Sequence, residues 1–278
     1  MPELPEVEVT CRGLRPYLLG QSILTVRSSG KPLRQPLAED LLRRCLCGTS
    51  ILAIERRAKY ILIRFASKAV LVIHLGMTGK LGIFPKAAES MRHDHLILNL
   101  NNKTELRFND ARRFGSIVLW PTKQAEELEQ AFLARQGIEP FSTEFSGENL
   151  HRLARKCRLP VKSFLMDSRR ISGIGNIYAN ETLFAANVHP LTPAKTLSRE
   201  QWQKAASCAV RILQQAIAAG GSTLSDFLGA GGQPGYFQLQ LAVYGKKGED
   251  CPCCGEKIVK ERISGRATFF CPKCQVLL

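Results

Sequence analysis

Two C-x-x-C pairs close the chain, Cys251-Pro-Cys-Cys254 and Cys271-Pro-Lys-Cys274, with sixteen residues between them. Each pair fits a tight turn that offers two thiolates on one side of a metal, so the tail is committed to a fold built around zinc. The intervening Lys257 to Phe270 is predicted to form a β-hairpin turning at Ser264-Gly265. Cys253 could compete with Cys254, but only the choice of Cys251 and Cys254 gives both pairs the same spacing. Four thiolates leave no open position for water, which makes one Zn2+ here structural. Arg262 and Arg266 lie on the hairpin, where basic residues suit a finger that touches phosphates.

The other end carries a different chemistry. Met1-Pro2-Glu3-Leu4-Pro5-Glu6 sets a proline beside the initiator methionine, and removal of Met1 would make Pro2 a free secondary amine. An ordinary α-amino group titrates near about 8, so a useful fraction is a neutral nucleophile at physiological pH. Attack on a sugar C1′ gives an iminium directly, an electron sink that acidifies the neighbouring C–H bond and favours elimination. Glu3 is close enough to give a proton, and Glu6 adds a second carboxylate one helical turn later. Val7, Cys11, Leu14 and Leu18 recur at helical spacing, which predicts a helix over about Pro5 to Leu18 with one face on the core. Taken alone, Pro5 with Glu6 and Glu8 is also an ordinary helix start.

Lys+Arg of 39 against Asp+Glu of 24 gives a net charge of +15, which points to a polyanionic partner, nucleic acid before an anionic membrane surface. There is no apolar run of about 18 residues and no signal-peptide pattern, so the expected compartment is the cytoplasm. In a reducing compartment the ten cysteines do not imply disulfides, and those outside the metal pairs read as packing thiols.

Between the two ends, Ile51 to Ile54, Tyr60 to Phe65, Ala69 to His74, Lys80 to Phe84, His95 to Leu100, Glu105 to Phe108 and Ser116 to Trp120 read as strands. That pattern suggests a sandwich or barrel, with a helix over about Ala38 to Leu46 interrupting it. Helix formers follow around Glu126 to Gln136, Gly137 to Pro140 looks like a linker, and helical patterning runs on to about Ala219. Gly220 to Tyr236 reads as a mobile glycine-rich loop. The division expected is 1–136, 137–240 and 241–278.

Three loops hold chemically active residues. Gly173-Ile-Gly175-Asn176-Ile-Tyr178 joins two helical stretches; no strand precedes it, so it is a phosphate seat at a helix start or a plain turn rather than a dinucleotide loop. Asn109-Asp110-Ala-Arg112-Arg113-Phe114-Gly115 and His74-Leu-Gly-Met77 put Arg, Phe and Met at strand ends, where they are either core residues or a wedge for a base stack. Lys59, in Arg56-Arg57-Ala58-Lys59-Tyr60, and His93-Asp94-His95 are either surface charge and a satisfied polar cluster or part of the same site.

Taken in order, MPELPEVE, RRAKY, HLGM, HDH, DARRFG, GIGNIYANE, PGYF and the paired C-x-x-C with SGRATFFC between resemble the bacterial formamidopyrimidine-DNA glycosylase family, from Met1 to about Cys274. The resemblance implies an α+β multidomain fold: an N-terminal β-sandwich that begins with the catalytic helix, a helical helix-two-turn-helix domain, and a C-terminal β-hairpin zinc finger, with DNA in the cleft between. It implies a base-excision repair enzyme, a monomer, that removes oxidised purines from double-stranded DNA and cleaves abasic sites, cytoplasmic and associated with the nucleoid when bound. By motif, Pro2 is the Schiff-base nucleophile, Glu3 the acid at the deoxyribose ring oxygen, and Glu6 an orienting group. Lys59 serves proton transfer and phosphate contact in β-elimination, and Arg266 serves δ-elimination. Met77, Arg112 and Phe114 fill the gap left by the flipped nucleotide, Arg112 facing the orphaned base. His74, His93, Lys162 and Asn176 fall at DNA-contacting positions, and the Gly220 to Tyr236 loop closes over the extruded base.

The chain departs from the family pattern at the extra Cys253 and at Cys157-Arg158, where lysines are usual. Two other readings compete: an endonuclease VIII-like glycosylase for oxidised pyrimidines, and a non-catalytic zinc-finger protein that senses lesions. Leu4-Pro5-Glu6 after Glu3, with Met77, Arg112 and Phe114, favours the purine enzyme.

Overall fold

The structure is a computed structural model that describes residues 1–220, 227–228 and 241–277. Apart from Gly220 and Phe227–Leu228, the expected glycine-rich loop and the PGYF motif lie outside the described residues. The chain forms two compact units, one built on Met1–Leu133, the other on Ala134–Ala218 with the C-terminal residues 241–277.

The first unit opens with α1 (Leu4–Leu18), followed by β1 (Ile23–Ser28) and α2 (Glu39–Leu46). The strands β2 (Ile51–Arg57), β3 (Tyr60–Phe65), β4 (Val70–His74) and β8 (Ser116–Trp120) form a four-stranded sheet in that order. A second sheet runs β1, β6 (Asp94–Leu100), β7 (Thr104–Asn109), β5 (Lys80–Pro85) and β9 (Phe227–Leu228), the last parallel to β5. All seven expected strands are present within a few residues; β1 is an eighth that the pattern did not announce. Its residues mix exposed Leu24, Thr25 and Arg27 with buried Ile23 and Val26 across a register shift, which hides the alternation a strand normally shows.

Both sheets and α1 share one core. Val7, Cys11, Leu14 and Leu18 are all fully buried and belong to one apolar cluster with Ile61 and Ile73 of one sheet and Leu98 and Leu106 of the other. At about 1.5–3 kcal/mol for each large aliphatic side chain removed from water, this stripe alone fixes the rotation of α1. The helix α3 (Ala125–Leu133) closes the unit, its Phe132 packing edge-on to Tyr60 at 5.0 Å.

The second unit packs α4 (Gly147–Ala154), α5 (Val161–Met166), α6 (Asn176–Ala186) and α7 (Arg199–Ala218) around Tyr178, Phe164 and the fully buried Trp202. Gly137 to Pro140, expected as a linker, is pinned instead: Gly137 N–H donates to Ser168 O at 2.8 Å and Ile138 N–H to Arg170 O at 3.0 Å. A Cβ on Gly137 would lie 2.2 Å from the Arg170 carbonyl carbon, so this close approach requires glycine. The hairpin of β10 (Val259–Ile263) and β11 (Arg266–Phe270) packs on α6, and its turn is Ser264-Gly265, both at positive φ as a two-residue type I′ turn demands.

Candidate active site and zinc finger

In the first unit, Pro2 and Glu3 are buried ahead of α1. Glu3 is the N-cap: its carboxylate accepts the Glu6 N–H, and its own N–H donates to Glu6 Oε2 at 2.8 Å. This reciprocal capping box holds two carboxylates against the start of a helix, where the dipole favours negative charge. The Glu6 carboxylate thereby fixes the backbone of the residue next to Pro2. In the chain as translated the Pro2 nitrogen is a tertiary amide with no available lone pair; only loss of Met1, itself 46 % exposed, frees it.

Lys59 sits in the tight turn between β2 and β3, where Arg57 and Tyr60 are paired and Ala58 adopts φ 52°. A left-handed alanine at this position is strained, and the surroundings hold it. Arg56 Nη1 donates to Ala58 O at 3.2 Å, while Arg56 Nε bonds Glu8 of α1 at 3.1 Å. Burial works against a charge on Glu8, but Arg12 and Arg56 together keep its carboxyl below the usual range. Arg15 Nε to Ile54 O at 2.9 Å adds a second tie, so α1 and the Lys59 turn are braced to one another.

The expected wedge residues lie on two loops that touch. Met77 and Phe114 are each 43 % exposed, Arg112 is exposed, and its guanidinium stacks 4.5 Å over the Phe114 ring. Exposed Met and Phe beside a buried scaffold exclude the reading of these two as core residues. The loops meet at Gly76, where a Cβ would fall 2.5 Å from the Phe114 carbonyl carbon and from Gly115 N. His74, at the end of β4, accepts the Gly76 N–H at 3.0 Å through Nδ1. Burial, reinforced by Arg34 and Lys59, pushes its pKa down to about 4, so it is a neutral imidazole with its proton on Nε2. His93 is half-buried at φ 77°, and its carbonyl accepts the Asp110 N–H at 3.1 Å. His95 behind it bonds Ser29 Oγ at 2.8 Å and Asp110 O at 3.0 Å, which makes the HDH stretch a support for the Arg112 loop.

In the second unit, Cys251, Cys254, Cys271 and Cys274 bring their sulfurs within 4.8 Å of one another. Cys251 to Cys274 is 3.8 Å and Cys254 to Cys271 is 3.5 Å. A tetrahedral ion with Zn–S bonds of about 2.3 Å requires S···S edges of about 3.8 Å, and a disulfide requires about 2 Å, so the donor set fits zinc and excludes bridges. The N–H groups of Cys253 and Cys274 point at Cys251 and Cys271 sulfurs at 3.4 Å, a further mark of thiolate acceptors. Cys253 contributes this backbone donor and is not one of the four clustered thiols.

Lys162, placed by the resemblance at a DNA-contacting position, is taken up inside the protein. Its side chain is 1 % exposed, and Nζ donates to Ala267 O at 2.8 Å and to Thr268 Oγ1 at 2.7 Å. An ammonium taken this far from water must be paired, and the finger supplies the acceptors. Asn176, the first residue of α6, donates from Nδ2 to the same Ala267 carbonyl at 3.0 Å. Both residues therefore fix the carbonyl next to Arg266, which itself is exposed at the hairpin tip.

The GIGNIYANE motif proves to be the finger's docking face. Asn180 Oδ1 accepts the Phe269 N–H at 2.7 Å, and Glu181 accepts N–H bonds from Ala242, Val243 and Tyr244 at 2.7, 3.0 and 2.8 Å. Neither Asn180 nor Glu181 was among the expected site residues, although polar residues at spacing four and five from Asn176 on a helix were the available signal; Asp110, visible within its motif, had no role assigned to its buried carboxylate.

Three family models match successive parts of the chain: the formamidopyrimidine-DNA glycosylase N-terminal domain over residues 1–117, its H2TH domain over 136–228, and the zinc finger found in FPG and IleRS over 248–276. The formamidopyrimidine-DNA glycosylase of Geotalea uraniireducens is 47 % identical across 99 % of this chain and 100 % of its own length, and that of Stutzerimonas stutzeri is 46 % identical over the same shares. Among solved structures, the Lactococcus lactis Fpg bound to abasic-site DNA matches at a TM-score of 0.88 and 33 % identity, covering 99 % of both chains. The same protein with N7-benzyl-Fapy-dG DNA matches at 0.89 and 34 %, covering 99 % of this chain and 100 % of that one. On these family models, and on relatives 46–47 % identical over their full length, the chain belongs to the formamidopyrimidine-DNA glycosylase family.

Proposed function

We propose that this protein is a base-excision repair glycosylase that removes oxidised purines such as 8-oxoguanine and formamidopyrimidines from duplex DNA, and that it cleaves the resulting abasic site by β,δ-elimination. The observation that carries this reading is the buried Pro2-Glu3 pair at the start of α1, locked by the Glu3–Glu6 capping box. Once Met1 is removed, the Pro2 amine attacks C1′, the base departs, and Glu3 protonates the ring oxygen as the sugar opens. The iminium so formed acidifies the C2′–H bond. Loss of that proton, with Lys59 serving the transfer, expels the 3′ phosphate; loss of the C4′ proton, with Arg266 assisting, expels the 5′ phosphate. Hydrolysis of the iminium then returns Pro2.

A base stacked in a duplex cannot present its C1′ to a buried amine, so the nucleotide is extruded at a cost of a few kcal/mol. Met77, Phe114 and Arg112 offset that cost by filling the vacated stack, Arg112 facing the orphaned base. His74, His93 and Asn176 are assigned to DNA contact, and Lys162 to holding the finger. The four cysteines hold one zinc, which contributes folding energy to the finger and takes no step in the reaction. Functionally the chain divides as 1–136, 137–240 and 241–278. The net charge of +15 supports a DNA partner, and no described helix is long and apolar enough to cross a membrane. We extend the reading to a monomer acting in the cytoplasm, on nucleoid DNA when bound.

Competition between 8-oxoguanine opposite cytosine and thymine glycol in otherwise identical duplexes tests the substrate. Faster excision of 8-oxoguanine is expected, and a preference for thymine glycol would move the chain to the pyrimidine enzymes.

A further inference from the structure

The carboxylate of Asp110 is fully buried between the two wedge loops, and no role in the reaction above uses it. Three donors converge on it. Thr78 Oγ1, one residue beyond Met77, donates to Oδ1; Arg112 N–H donates to Oδ1 at 3.2 Å; Gly115 N–H, one residue beyond Phe114, donates to Oδ2 at 2.8 Å. Each donor is thus either a wedge residue or its immediate neighbour. Neither Gly76 nor Gly115 has room for a side chain: the first abuts the Phe114–Gly115 backbone of the other loop, and a Cβ on the second would lie 2.6 Å from Phe108 Cζ and 3.1 Å from Asp110 Oδ2. Arg113, between Arg112 and Phe114, stands at φ 57°, a turn that needs such external support.

We propose that Asp110, with the Thr78 hydroxyl, is a positioning residue that sets the spacing of Met77 against Arg112 and Phe114, and so determines how well the wedge replaces an extruded nucleotide. The inference rests on the glycosylase reading and concerns a residue that touches neither base nor sugar. A fixed wedge is effective because its ordering is complete before DNA arrives; a loose one must be ordered at the moment of extrusion, which raises the barrier to opening the duplex. An amide at position 110 cannot substitute. Whichever way it is turned, its NH2 faces Gly115 N–H or Arg112 N–H, and a donor is left against a donor.

The test compares Thr78→Val, which keeps the shape and drops the hydroxyl, with Thr78→Ser, which keeps the hydroxyl, and with Asp110→Asn. Two substrates are read in parallel: 8-oxoguanine excision from a duplex, and borohydride trapping on a single-stranded abasic oligonucleotide that has no stack to open. The duplex-to-single-strand rate ratio should fall roughly tenfold or more in Thr78→Val and Asp110→Asn, the order that loss of a charge-assisted hydrogen bond carries, and Thr78→Ser should restore it. The preference for cytosine opposite the lesion should fall with it. A wild-type ratio in Thr78→Val, or equal losses on both substrates, would overturn the positioning role even if Asp110→Asn does not fold. A wild-type protein inactive on both substrates would overturn the glycosylase reading itself.

Discussion

Lys162 Nζ and the Ala267 carbonyl are 2.8 Å apart, joining a buried ammonium on α5 to the strand that begins with Arg266. Lys162→Met keeps the volume of the stem and removes these bonds, so stability in urea should fall by about 1.5–3 kcal/mol. Zinc content should stay at one per chain, because the thiolates do not depend on Lys162. With Arg266 less well held, abasic DNA should yield more β- and less β,δ-product. Unchanged stability and product ratio would show that the buried ammonium does not govern the finger.

Much of this site is legible in sequence, and the exceptions share a cause. The four cysteines announce themselves by type and spacing, and the structure brings their sulfurs together. Lys162 does not: the resemblance placed it at a DNA-contacting position, and nothing in its type or spacing tells that its ammonium is buried on the finger's backbone. Asp110 was visible within its motif, but its value lies in donors that come from Thr78, thirty-two residues earlier, and from loop backbone. The pinning of Gly137 by Arg170 is likewise a long-range fact about backbone contact, and composition alone made the stretch a linker.

Cys271→Ser should release the metal, because three thiolates and a hydroxyl no longer match the soft donor set. Cys271 also lies in the small apolar cluster with Phe269 and Ile258, so the finger should loosen while the core of α1 and the two sheets remains folded. Zinc analysis and DNA titration check this together; full DNA affinity in a zinc-free variant would remove the finger from binding.

Arg112→Ala removes the guanidinium that stacks on Phe114 and leaves the backbone N–H on Asp110 in place. Discrimination of cytosine over adenine opposite 8-oxoguanine should fall roughly tenfold, in line with about 1–3 kcal/mol for one base-reading contact. Single-turnover excision from the two duplexes gives the ratio directly, and an unchanged preference would take that role from Arg112.

His74 supplies a pH signature. Its folded pKa of about 4 lies below the ordinary 6.5, so between these values the unfolded chain binds a proton that the folded one refuses. Its contribution to stability is present above about pH 6.5 and is lost as pH falls toward 4. Unfolding midpoints across this range should drop more steeply for the wild type than for His74→Gln. Equal slopes would mean that His74 is protonated in the folded chain like any exposed histidine.

Pro2 as the nucleophile is tested most directly by borohydride trapping on a duplex with 8-oxoguanine opposite cytosine, followed by mass mapping of the cross-linked peptide. The expected result is one covalent adduct on Pro2, with Met1 gone, and no adduct on Lys59. An adduct mapped to a lysine, or a tightly bound duplex that forms no adduct although Met1 has been removed, would contradict it.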